Sequence, residues 1–312
     1  MANLLLDSTN FERERNVVME ERRLGENTPY DELWEDFYAM AFKTHPYHNP
    51  VIGWMDDIAR IHRSDLYRHY TTWYTPANAV LVVAGDVQPH KVFAEAARDF
   101  GAIRSHPVPT WHPVEPPQPG ERRLIVKKDV STPALMIGYH VPGSSDSAFY
   151  SFEVLQGLLM RGVTSRLYNR LVYQGGNALS VNGGNDAEGD NPGLFYVFAI
   201  PSSAQMTDSV ERMVLHEIEK LKTSPVTDSE LTQVKNQVIA DFVFQQDNNG
   251  GMANLIGRSF TMYGSLDFMN NYPNRIAAVT KDDIMKAATK YFTEDNRTVG
   301  RIVPTAAEKE TK

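Results

Sequence analysis

Residues 11–23 read FERERNVVMEERR. Thr9 followed by Glu12 fits a capping box, in which a hydroxyl and a carboxylate satisfy the first free amides. A helix is therefore predicted to start just before Phe11. Val17, Val18 and Met19 give that helix an apolar patch. Glu14 and Glu21 stand almost two turns apart, so both carboxylates fall near one face with a rise of about 10 Å between them. They can line one groove, but they reach a single ion together only through an outer shell. Composition alone gives a plainer reading: a solvated face held by weak Glu–Arg pairs one turn apart.

Downstream of this helix, Gly25–Tyr30 marks a break, and Thr28 is placed to cap a second helix. Residues 31–42 carry Leu33, Phe37, Tyr38, Met40 and Ala41 at helical spacing. The loop HPYHNPVIGW at 45–54 is stiffened by two prolines. Residues 57–61 turn into a helix at 64–73, with Ser64 as its expected N-cap. The run AVLVVA at 79–84 lies between Asn78 and Gly85, and its length and β-branching predict a buried strand. Residues 89–100 form a further amphipathic helix. Six prolines at 107, 109, 113, 116, 117 and 119 then exclude helix and disfavour strand. A Pro-rich linker at 104–120 thus separates a first domain (1–103) from a second (121–305), with a frayed tail at 306–312.

In the second domain, 122–127, 134–141, 194–200 and 298–303 read as strands. Helices are expected at 149–160, 206–221, 228–245, 256–263 and 284–291. The two parts echo one another. Ile58, Ile61, Leu66, Tyr74, Asn78 and Leu81 match Ile276, Val279, Ile284, Phe292, Asn296 and Val299 at a constant offset of 218. A period of that length points to a duplicated domain, not a short-repeat solenoid. The first copy has about 105 residues before the linker against about 185 after it, so the first domain is expected to be incomplete.

Composition removes several classes. With 31 basic against 39 acidic residues and a net charge of −8, and no basic block, nucleic acid is not an expected partner. No run is long enough to span a membrane. The absence of cysteine excludes disulfides and thiolate metal sites and leaves the compartment open, bacterial periplasm or cytoplasm. The opening Met-Ala-Asn-Leu-Leu-Leu is too short for a secretory signal.

Residues 14–21, ERNVVMEE, resemble the second zinc-binding segment of the pitrilysin-like zinc metallopeptidases, the M16 family or inverzincins. That family places an H-x-x-E-H upstream, with two zinc-binding histidines and a general-base glutamate, and a third ligand on a helix with an E-R-x-V pattern. By that resemblance Glu21 falls on the zinc ligand and Glu14 on the supporting acidic position of the catalytic centre. No H-x-x-E-H occurs in this chain. His45-Pro-Tyr-His48 does not replace it, because a proline and short spacing cannot give the helical pair of ligands. A catalytic zinc needs three protein ligands and an open position. The resemblance therefore implies the later part of a longer peptidase, with one zinc ion in the complete site and none assured here.

Further motifs carry the same likeness over the whole chain. His45 lies in a loop similar to the family's H-P-Y-x-x-P loop near the cleft, which makes it a substrate-contact candidate, although an exposed loop histidine with no role reads equally well. Ser165-Arg166-Leu-Tyr168 resembles the second-domain motif that precedes the family's Arg/Tyr pair, making Ser165 and Arg166 further candidates. At the positions of that pair stand Val172 and Leu179, which cannot donate hydrogen bonds.

The implied fold is α+β: two homologous mixed α/β domains of the pitrilysin or mitochondrial-processing-peptidase type, each an antiparallel-rich sheet with packed helices, the first incomplete. The implied function is part of a zinc-dependent endopeptidase or oligopeptidase acting on peptides. This chain would be its zinc-bearing subunit, inactive alone, beside a homologous subunit supplying the Arg/Tyr pair or a second copy of itself. The alternative is a catalytically inactive scaffold or peptide-binding subunit. A plain interaction domain with solubilising glutamates is the third reading.

Overall fold

The computed structural model describes residues 1, 3–26 and 28–305, so the expected frayed tail at 306–312 lies outside the described residues. The helices are α1 (Ser8–Glu26), α2 (Asp31–Ala41), α3 (Met55–Arg60), α4 (Arg63–Trp73), α5 (Pro89–Phe100), α6 (Ala148–Met160), α7 (Arg166–Tyr168), α8 (Thr207–Thr223), α9 (Asp228–Phe244), α10 (Asn249–Tyr263), α11 (Asp267–Ala278) and α12 (Lys281–Tyr291). The strands are β1 (Arg122–Lys128), β2 (Ala134–Val141), β3 (Ala178–Asn185), β4 (Gly193–Pro201) and β5 (Arg297–Pro304). The chain forms two compact units. One comprises Met1–Thr28, Asn49–Val114 and Gln245–Met269; the other comprises Pro29–His48, Glu115–Phe244 and the chain from Asn270.

The second unit is an α/β structure built on one five-stranded mixed sheet of order β1-β5-β2-β4-β3. β1 runs parallel to β5, and the remaining pairs are antiparallel. β2 and β4 are buried nearly throughout because helices cover both faces, which is why they read as continuous apolar runs, not alternating ones. On one face Phe152 of α6 meets Phe195 and Phe292 at ring separations of 5.8 and 5.7 Å. On the other, α2 lays Leu33, Phe37 and Ala41 against Val126, Met136, Leu194 and Ile302. Two glycines admit it. A Cβ on Gly138 would stand 3.0 Å from the Phe37 ring, and one on Gly300 would stand 2.9 Å from Phe37 and Leu33. The helix approaches the backbone where side chains are missing.

In the first unit α1 packs against α3, burying Phe11 and Ile58. The expected buried strand at 79–84 is not there. The segment carries no strand pairing, and Val80, Leu81 and Val83 are 47%, 61% and 48% exposed. A strand exists only with a hydrogen-bonded neighbour, and all five described strands belong to the other unit. Val82 and Ala84 are half-buried, Val82 lying near Gly257 of α10, 3.9 Å from where a Cβ there would stand.

Two other local expectations shift. α4 begins at Arg63 ahead of Ser64, with the His62 amide donating to Asp65 at 3.0 Å, and α2 follows Tyr30, not a Thr28 cap. Four elements escaped sequence reading: the short helices α3 and α7, the strand β3 and the helix α11. β3 carries Gly183 and Gly184 where alternating apolar residues would announce a strand, and α11 contains Pro273. Gly183 is required by packing, since a Cβ there would lie 2.1 Å from the Tyr196 carbonyl.

The 218-residue offset recurs in element bounds and hydrogen bonds. α12 (281–291) starts and ends 218 residues after α4 (63–73), and β5 starts 218 after residue 79. Asp65 accepts from the amide of residue 62, and Asp283 accepts from that of Thr280. Asn78 Nδ2 donates to the Trp73 carbonyl, and Asn296 Nδ2 donates to that of Tyr291.

Candidate functional site

The two candidate carboxylates lie on α1, as its periodicity requires. Phe11 anchors the helix, and the Arg15 guanidinium rests over its ring at 5.6 Å while also pairing with Glu12. That pinning seats one face of the helix, and Glu14 and Glu21, both exposed, fall along its rim. Glu14 borders a cavity of about 400 Å³ whose walls are mostly apolar, including Phe11, Val18, Ile52, Ile58 and Leu66. Glu21 does not line it.

Whether these residues fit a zinc ion is decided by the donor set. Among the described residues no group of three or more histidines, aspartates or glutamates is placed to hold a metal. Two exposed carboxylates almost two turns apart on one helix supply neither the ligand number nor the nitrogen donors of a catalytic zinc. The residues present do not fit the ion by themselves.

The other candidates belong to the second unit. His45 is buried, with Phe42 and Tyr47 ring-to-ring at 5.6 and 4.2 Å, and its Nδ1 accepts from the Tyr47 amide. Burial pushes its pKa below the usual imidazole value, partly opposed by Asn191 and Glu115. The loop is clasped by Glu115, whose carboxylate accepts the amides of Lys43, Thr44 and His45 at 2.7, 2.9 and 2.9 Å. Burial would raise the Glu115 pKa, but those amides hold it below the ordinary carboxylate value.

Ser165 is buried and donates to the Gly162 carbonyl at 2.8 Å. Arg166 grips Glu230 with two parallel hydrogen bonds, Nε to Oε1 at 3.0 Å and Nη2 to Oε2 at 3.1 Å. The structure thus ties Ser165 and Arg166 into the framework of the second unit. Sequence reading missed Glu230 and Glu115. Glu230 had a signal, since Thr227-Asp-Ser-Glu230 is a capping box, and Glu230 N donates to Thr227 Oγ1 at 3.2 Å. Glu115 sits inside the proline run with nothing to mark it.

At the positions where donors were expected, Val172 is partly buried and Leu179 is 59% exposed on β3. β3 is an edge strand: β4 pairs one side, and among the described residues no strand pairs the other. Tyr173 and Val163 are also exposed, at 79% and 67%.

Comparison with known proteins places this geometry. The family model described as "Peptidase M16 inactive domain" matches residues 60–238. The zinc protease PqqE of Helicobacter pylori is 28% identical over 309 residues, covering 97% of this chain and 69% of that protein. An uncharacterized zinc protease of Mycobacterium leprae is 26% identical, covering 88% of this chain and 62% of its own length. The chain thus spans about two thirds of the length of these relatives. The crystal structure of a protease from Helicobacter pylori superposes with a TM-score of 0.91 at 29% identity, covering 97% of this chain and 74% of that one. An M16-like peptidase from Alicyclobacillus acidocaldarius gives 0.83 at 16% identity, covering 97% and 73%, which speaks for the fold alone.

Proposed function

The chain belongs to the M16 peptidase family, and on that premise we propose that it is a peptidase-like subunit that holds extended peptides and does not cleave them by itself. The observation that carries this reading is the donor set: no three metal-binding side chains converge among the described residues. The matched family model, named for an inactive domain, is consistent with it.

Peptide holding is supported by the edge of the mixed sheet. An extended peptide can add to β3 as a further strand, its backbone amides satisfied along the open side. Leu179 then offers an apolar surface to alternate side chains of the peptide where a catalytic member would offer a tyrosine hydroxyl. No membrane-spanning helix is present among the described residues.

We further infer that the two units descend from one duplicated domain. The shared 218-residue offset of α4 and α12, of their caps and of the asparagine bonds that follow them supports this. One observation favours a second reading, the zinc-bearing part of a complete endopeptidase with a homologous partner subunit. Glu14 and Glu21 stand exposed on α1, on a helix whose counterpart α9 packs closely against α6. Relatives of this chain carry the name zinc protease.

The test uses a fluorescent, uncharged, apolar peptide of about ten residues, long enough to span an edge strand. Anisotropy should report binding by the chain, Leu179→Lys should weaken it, and mass spectrometry should find the peptide intact. Absence of binding, or binding indifferent to Leu179→Lys, would overturn the strand-edge reading.

A further inference from the structure

In the second unit, α11, α12 and the start of α6 enclose a cavity of about 620 Å³, within the range of small-molecule sites. Its charged lining is lopsided. Arg275, Lys286 and Lys290 face it, against Asp283 as the one acid among the lining residues, in a chain whose net charge is −8. Asp283 is already engaged by the Thr280 amide and hydroxyl, at 3.0 and 2.6 Å. Nearby Asp146 takes hydrogen bonds from the Ala148 amide at 2.8 Å and Tyr291 Oη at 3.1 Å.

The cations are in the opposite state. Lys290 makes a distant 3.9 Å pairing with Asp146, hydrogen-bonds the Tyr291 side chain and leans over its ring, but has no close carboxylate among the described residues. Arg275 rests its guanidinium over Tyr150 at 5.5 Å, which leaves the N–H edge of the fork open. Neither Arg275 nor Lys286 has a salt-bridge partner among the described residues. The fold does not demand these charges. At the positions 218 residues earlier stand Asp57, Arg68 and Thr72, and that arginine is spent on Asp65 at 2.7 Å.

We propose that this cavity binds a small molecule carrying a diphosphate group. A planar fork on α11 and a point charge on α12 suit two linked phosphoryl groups, one on each. The hydroxyls of Ser147 and Ser151 at the mouth of α6 add donors. This site owes nothing to the peptide reading and stands or falls separately.

Isothermal titration of the full chain with pyrophosphate at low salt tests it, with citrate as an anion of similar charge. Pyrophosphate is expected to bind more tightly than citrate. Arg275→Gln with Lys286→Gln should lower that affinity by about tenfold or more. Lys91→Gln with Arg104→Gln, which makes the same charge change on exposed side chains outside the cavity, should leave it within about twofold. All three proteins should give the same circular dichroism spectrum, since both pairs lie on the surface. No pyrophosphate binding, equal binding of citrate, or equal loss in the two double variants would overturn the assignment.

Discussion

Arg166 and Glu230 meet as a two-pronged ion pair, with both nitrogen–oxygen distances within 0.1 Å of each other at 3.0 and 3.1 Å. The pair fastens α7 to the first turn of α9, and Glu230 caps that same turn through Thr227. Burial raises the Glu230 pKa, but Arg166 and the Thr227 amide outweigh it and bring it down to about 2, from 4.5. A carboxyl held below its unfolded value contributes stability that is complete above the unfolded pKa and is lost as pH falls towards the folded one. Acid denaturation should therefore show a loss between about pH 5 and 2, worth about 1–2 kcal/mol after allowing for solvent screening. In Glu230→Gln that part of the slope should vanish when urea midpoints are compared across pH.

The histidines titrate in a different window. Burial depresses His45, and it depresses His140 despite the 2.9 Å contact of His140 Nε2 with the Ala41 carbonyl. The folded state therefore resists taking up their protons, and stability present above the unfolded value near 6.5 should fall as pH drops below it. Replacing His140 by Gln should flatten the urea-midpoint profile between about pH 6.5 and 5 without altering the loss assigned to Glu230. Unchanged curvature in that window would remove the histidine explanation.

Close approach of α2 to the sheet makes a packing prediction. Gly138→Ala drives a methyl into the Phe37 ring at 3.0 Å and should cost about 1–3 kcal/mol in urea denaturation. Gly120→Ala, with nothing within 4 Å of the new carbon, should be close to neutral. Equal effects at the two sites would mean that α2 does not seat on the sheet.

Hydrogen exchange should separate the two segments that share the 218 offset. Amides of residues 79–84 have no ladder partners and should exchange fast. Those of β5, bonded to β1 on one side and β2 on the other, should be protected by several orders of magnitude. Protection of 79–84 would show that this run has found a partner.

These contrasts show what the sequence made legible and why. Continuous apolar runs betrayed β2 and β4 because both of their faces are covered, and amphipathic spacing placed α2, α5 and α8 to within two residues at either end. The run at 79–84 carries the same local signature as a buried strand, but strand formation depends on a partner the segment itself cannot encode. β3 hid because glycines replace the side chains that would mark its pleat. At the site, local pattern identified Glu14 and Glu21 as neighbours on one helical face, whereas which other side chains converge is decided by the fold, and among the described residues no three metal-binding groups do. Arg166 was singled out from its motif, but its partner Glu230 lies 64 residues away, beyond the reach of spacing arguments.

The central claim is that this chain binds an extended peptide without cutting it. The most direct measurement supplies zinc and a quenched fluorogenic peptide to the purified chain and follows binding and cleavage together. The account predicts saturable binding, weakened by Leu179→Lys, with no rise in fluorescence from hydrolysis. Zinc-dependent cleavage by the chain alone, abolished by Glu21→Gln, would contradict it.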